Sequence, residues 1–163
     1  MKLVSSDGTR FEMGVARYSY DPDKVFIWAE EDLNWLRVEV RAVDAEGRTW
    51  SAADSCLMTH ELVQLAGWLG GLPALESDTA SICFMEPCLS FEAAKDDGLY
   101  LFTVFLECEL GRPTGSGSER ERVDTKLHFM LTPEELGEAV ASCRSLAEFY
   151  PVRSMPDHLS RGD

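Results

Sequence analysis

The stretch SICFMEPCLSF, Ser81 to Phe91, decides how the chain is read. Ile82 and Phe84 share one face of an extended segment, and Leu89 and Phe91 share one face of another, with Met85, Glu86 and Pro87 between the pairs. Proline has no N–H to give a ladder, and the residue before it is held in extended or polyproline geometry. A single central strand therefore cannot run through Glu86 and Pro87. The economical arrangement is a bend or bulge between two short strands. In it the Glu86 carboxylate accepts hydrogen bonds from backbone N–H groups that the bend leaves unpaired. The rival reading has Glu86 projecting at a sheet edge toward a partner.

Outward from that bend, the first half of the chain alternates. In FEMGVARYSY, Phe11, Met13, Val15 and Arg17 fall on one face; in LNWLRVEVRAV, Leu36, Val38, Val40 and Ala42 point one way against Trp35, Arg37, Glu39 and Arg41. Period two with one wet face indicates antiparallel strands. DAEGRTW supplies the turn into a strand around Trp50. The period then changes, because Leu62, Leu65, Ala66 and Leu69 recur at helical spacing, with Thr59 as the expected N-cap and Gly70-Gly71 as the stop.

The second half repeats the order of strands followed by a helix. GLYLFTVFLECEL places Tyr100, Phe102, Val104, Leu106, Cys108 and Leu110 on one face. GRPTGSGSERER reads as a loop, and RVDTKLHFML returns as a strand with Val123, Thr125, Leu127 and Phe129 facing in. Thr132, Pro133 and Glu135 form a capping box that opens a helix reaching about Phe149, with Leu136, Ala139, Val140, Cys143 and Leu146 inward. The expected fold is a single α+β domain over residues 1–156. A strongly bent antiparallel sheet of about six to eight strands carries two main helices, and residues 157–163 form a disordered tail.

Composition limits the function classes. At 163 residues and 45% hydrophobic content, the chain can bury a full core without staples. No apolar run reaches membrane-spanning length, and the N-terminus has no secretory h-region. The five cysteines (Cys56, Cys83, Cys88, Cys108, Cys143) include no Cys-x-x-Cys pair, which fits reduced, mostly buried thiols in a cytoplasmic protein. Fifteen Lys and Arg against 29 Asp and Glu leave a formal charge of −14, which repels nucleic acid and anionic membranes and attracts basic partners.

No catalytic constellation emerges. His128 with Glu107 or Glu109 is better read as cross-strand charge pairing, in which the two glutamates lie beside Arg122, Lys126 and His128. The spacing of Cys83 and Cys88, with His60 as a companion, matches no common zinc motif. The three histidines lack metal-ligand spacing, no serine sits in a nucleophile elbow, and GRPTGSGS is not a phosphate loop. AEEDLNW lacks the alternating ligands and glycine of an EF-hand and reads as a solvated turn. Neither an enzyme nor a cofactor is expected.

FMEPCLSF, Phe84 to Phe91, resembles the Phe-x-Glu-Pro-Asn-Leu-x-Phe signature of the WapI family of bacterial immunity proteins. DLNWL, RTWSAADSCL and THELVQLAGWL precede it in matching order; LFTVFLECELGRP and a helix ending near AEFYP follow, so the resemblance runs from about residue 10 to 151. Phe84, Glu86, Pro87, Leu89 and Phe91 are the motif positions. The chain departs at Cys88, where the signature has Asn, an exchange that removes a turn-capping amide. The resemblance implies a cytoplasmic inhibitor that binds and occludes the C-terminal toxin domain of a secreted or contact-dependent polymorphic toxin. The namesake's toxin is a tRNA-cleaving nuclease, so the implied partner is a basic nuclease domain. The alternative from another class is a small acidic enzyme or ligand-binding domain with a pocket between sheet and helices.

The densest acidic stretch flanked by aromatics runs from Asp21 to Trp35. Asp21, Asp23, Glu30, Glu31 and Asp32 stand there against Lys24 alone, with Tyr20, Trp28 and Trp35 alongside. Interfaces favour desolvated aromatic anchors ringed by complementary charge, so this stretch is the expected docking surface.

Overall fold

Alternation sets the first sheet. β1 (Lys2–Val4), β2 (Arg10–Tyr18), β3 (Trp35–Val43) and β4 (Thr49–Met58) form a four-stranded antiparallel meander in that order. The computed structural model describes residues 1–21, 30–75, 79–115 and 121–154. On β3, Leu36, Val38, Val40 and Ala42 are buried while Glu39 and Arg41 face water. The β3–β4 turn is held by Asp44, whose carboxylate accepts from the Arg48 backbone N–H at 2.8 Å and from the Arg48 guanidinium at 2.6 Å. Burial pushes this carboxyl up, but the Arg48 hydrogen bonds and charge outweigh it and hold it below the usual carboxylate range.

α1 (Thr59–Gly71) follows β4 directly and buries Leu62, Leu65, Ala66 and Leu69. The chain then builds a second sheet. β5 (Thr79–Cys83), β6 (Leu89–Asp96) and β7 (Leu99–Leu106) are followed by a short ribbon of β8 (Arg112–Pro113) and β9 (Arg122–Val123), and then by β10 (Thr125–Leu131). The sheet order is β10-β7-β6-β5, antiparallel throughout. β6 and β7 are joined by Asp97 and Gly98, both at positive φ (45° and 83°), the two-residue hairpin turn whose twist matches that of the strands. α2 (Pro133–Phe149) closes the fold. Its capping box is the one the sequence predicts, with the Thr132 hydroxyl accepting from Glu135 N–H at 3.2 Å and the Glu135 carboxylate accepting from Thr132 N–H at 2.8 Å.

Each half is thus four main strands followed by a helix, an α+β domain of ten strands among the described residues. One core joins the halves. Phe11 of the first sheet meets Phe91 of the second edge to face at 6.2 Å, Phe102 stacks on Phe91 at 5.7 Å, and Trp68 of α1 covers Phe102 at 5.9 Å. Among the described residues no helix is long and apolar enough to cross a membrane. All five cysteines are free, with Cys56, Cys88 and Cys143 buried and Cys83 and Cys108 exposed. The 157–163 tail lies outside the described residues.

Three local expectations need correcting. β7 ends at Leu106 and gives way to a 3₁₀ turn at Cys108–Leu110, so Glu107 and Glu109 do not flank Lys126 and His128. Lys126 instead pairs with Phe105, its ammonium 5.0 Å from the ring centroid, and His128 pairs with Thr103, whose Oγ1 lies 3.1 Å from Nδ1. Val123 belongs to the β8–β9 ribbon, outside the second sheet, and is exposed. Finally, Thr59 is the first helical residue of α1 and Met58 is the cap. The Thr59 hydroxyl is drawn away from capping because it donates to Asn34 Oδ1 at 3.2 Å.

Candidate docking groove

β5 and β6 pair antiparallel, with Ile82 opposite Phe91 and Cys83 opposite Ser90, and residues 84–88 connect them. The chain bends where Pro87 forbids a ladder. Phe84, Leu89 and Phe91 are buried, and the Phe84 and Phe91 rings meet edge to face at 6.2 Å; Met85, Glu86 and Pro87 face water. The carboxylate that takes up the bend's N–H belongs to Glu61 of α1. One Glu61 oxygen accepts from Met85 N–H at 2.8 Å and the other from Met58 N–H at 2.8 Å. Glu86 makes no hydrogen bond among the described residues. This corrects the expected role of Glu86: the first turn of α1 aims Glu61 at the bend from inside the fold, while the Glu86 carboxylate stays in water. Glu61 is only 4% exposed, so it serves two otherwise orphaned donors where water cannot.

Asn34 performs a similar task on the neighbouring side. It closes the 3₁₀ turn Glu30–Asn34 that leads into β3, and it is buried. Its amide N–H donates to the Arg153 carbonyl at 3.0 Å, and its oxygen accepts from Arg153 N–H at 2.7 Å and from the Thr59 hydroxyl. The segment after α2 is thereby strapped across the start of α1. Arg153 lies flat over the Tyr18 ring at 3.5 Å from its centroid and donates to the Tyr20 carbonyl at 3.3 Å. Burial raises the Tyr18 hydroxyl above its ordinary range, with the Arg153 charge opposing that shift. The Tyr150 hydroxyl adds a bond to the Val15 carbonyl at 2.9 Å.

Strap, turn and bend enclose a groove of about 500 Å³. Asn34 and Thr59 form part of its lining, and Trp35, Met58, Met85 and Val152 give it an apolar surface. Glu31 and Asp32 also line it, with His60 and Arg153. Glu31, His60, Met85 and Val152 are exposed, whereas Trp35 is half-buried and so presents part of its ring. Of the residues expected at a docking surface, Glu31, Asp32 and Trp35 come together here. Asp21 is described and half-buried but does not line the groove. Asp23, Lys24 and Trp28 lie outside the described residues, as does the side chain of Glu30. Sequence reasoning missed Asn34, Glu61 and Arg153. For Glu61 a signal existed, because a Glu at the third position of a helix caps backbone N–H groups, whereas the Asn34 amide serves a segment 119 positions away. Nothing local marks Arg153.

An apolar surface beside carboxylates has the make-up of a surface for binding another protein. The chain matches the immunity protein WapI-like family over residues 2–151, and it belongs to that family. The solved structure of the plant transcriptional regulator PBF-2 resembles it at a TM-score of 0.46 and 9% identity, over 92% of this chain and 80% of that one. No curated protein matches it.

Proposed function

We propose that the protein is a stoichiometric inhibitor that acts in the cytoplasm. It would bind the C-terminal toxin domain of a secreted or contact-dependent polymorphic toxin and occlude its active site. The supporting observation is the groove itself. The bend of the family signature contributes Met85 to the same concavity that collects Trp35, Glu31 and Asp32 from the acidic stretch. A basic nuclease domain is the partner this arrangement suits best. Nucleases grip phosphates with Lys and Arg, and carboxylates set beside an apolar anchor site can take the place of those phosphates. Net charge of −14 would steer the encounter. Glu30, Asp21 and Asp23 belong to the same acidic stretch and are proposed as further partner-binding residues. Inhibition needs neither turnover nor a cofactor, because blocking the cleft is enough.

Where a neighbouring gene encodes the C-terminal domain of a polymorphic toxin, pull-down against that domain, followed by titration of its nuclease activity, tests the reading. Activity is expected to fall linearly and vanish near one inhibitor chain per toxin domain. Undiminished activity at a large excess of this chain would contradict it.

A further inference from the structure

A second cluster of side chains lies on the far end of the signature bend from Met85. The Cys88 thiol, the Cys108 thiol and a Glu109 carboxylate oxygen all lie within 4.8 Å of one another. Cys88 Sγ is 3.7 Å from Glu109 Oε2, and 3.8 Å from Asp54 Oδ2 on β4. A tetrahedral zinc ion, with Zn–S bonds of about 2.3 Å and Zn–O bonds of about 2.0–2.2 Å, separates its sulfur and oxygen ligands by about 3.5–3.7 Å. The Cys88 thiol donates to this carboxylate, and a zinc ion could replace the proton between them with the sulfur–oxygen separation kept.

The scaffold is also fixed. The turn that carries Cys108 and Glu109 is tied by Glu107 N–H to the Cys88 carbonyl at 2.9 Å and by the Trp50 indole N–H to the Leu110 carbonyl at 3.2 Å. The Arg122 guanidinium donates to the Gly111 carbonyl at 2.9 Å. A Cβ on Gly111 would stand 2.8 Å from the Val123 carbonyl oxygen, so the approach of the ribbon to this turn is tight. Asp54 and Glu109 form no salt bridge among the described residues.

We propose that Cys88, Cys108 and Glu109 bind a thiophilic divalent cation of the Zn²⁺ type, with Asp54 as the adjacent carboxylate that adds negative charge. Two sulfurs select zinc over Mg²⁺ or Ca²⁺, which take oxygen ligands. On binding, each thiol gives its proton to solvent and its sulfur lone pair to the metal, so no oxidant or reductant is required. The ion would staple the start of β6 to the turn after β7, in the same segment that supplies Met85 to the docking groove.

The probe is Co²⁺ alone, titrated into the full chain kept reduced with a non-chelating phosphine. A thiolate-to-cobalt charge-transfer band that saturates at one equivalent is expected, and Zn²⁺ is expected to displace it. Cys108→Ser and Glu109→Gln, both at exposed positions, are expected to weaken binding by about tenfold or more, with circular dichroism unchanged. Cys83→Ser, at an exposed thiol outside the cluster, is expected to leave the band intact. Excess Zn²⁺ is also expected to raise the melting temperature of the wild type and not that of Cys108→Ser. The proposal is overturned if no charge-transfer band appears, if Cys108→Ser binds Co²⁺ as tightly as the wild type, or if the band disappears in Cys83→Ser.

Discussion

Two glutamates near the signature bend have opposite surroundings. Glu86 stands in water, whereas Glu61 is buried and accepts from Met58 and Met85 N–H. Glu61→Ala orphans both donors and is expected to cost about 3 kcal/mol, while Glu86→Ala is expected to stay within about 0.5 kcal/mol. Urea denaturation of the two variants compares them directly, and the reverse ranking would return the bend to Glu86. The sequence places a carboxylate beside the bend, but the one that binds comes from a residue 24 positions away, and only tertiary packing brings it there. Cys143 makes a second prediction. Burial raises its thiol to about 11, with the nearby N-terminal amine opposing, while an unfolded thiol titrates near about 8.5. Below the unfolded value both states hold the proton and the contribution is intact. As pH rises the unfolded chain loses its proton first, so stability falls and this contribution is gone above the folded value. Urea midpoints measured from about pH 7.5 to pH 10.5 are expected to fall less steeply in Cys143→Ala than in the wild type; equal slopes would refute the assignment.

At the level of elements, alternation and caps were readable where they depend on near neighbours. The capping box at Thr132 is satisfied within its own segment, and the buried faces of β3 and α2 follow from the period of their apolar residues. The end of β7 was not readable. ECEL continues the alternation past Leu106, yet the chain turns at Cys108, whose φ of 47° takes it out of the extended region. The strap after α2 depends wholly on distant partners. Asn34→Ala removes three hydrogen bonds among the described residues and is expected to release residues 151–154 locally without unfolding the core. Trypsin should then cut after Arg153 several-fold faster than in the wild type, by mass spectrometry. An unchanged rate would mean that the Tyr18 stacking holds the strap by itself.

Over the whole molecule, the class of fold was legible and the division of the sheet was not. Period-two segments followed by a period-3.6 segment, twice over, specify antiparallel strands and two helices. They do not say that the strands part into two four-stranded sheets sharing Phe11, Phe91 and Phe102. The groove was half legible: clustered acids and a tryptophan marked Glu31, Asp32 and Trp35, while Met85, Thr59 and Arg153 arrive from three other parts of the chain. The central claim is that this face meets a basic toxin domain. Association kinetics at low and at physiological salt, against a toxin domain that the chain captures in pull-down, are the direct test. The chain carrying Glu30→Lys, Glu31→Lys and Asp32→Lys is compared with wild type after matched thermal melts. The variant is expected to associate about tenfold or more slowly at low salt, with the gap narrowing as salt rises. Equal association rates at low salt would contradict it and place the docking face elsewhere.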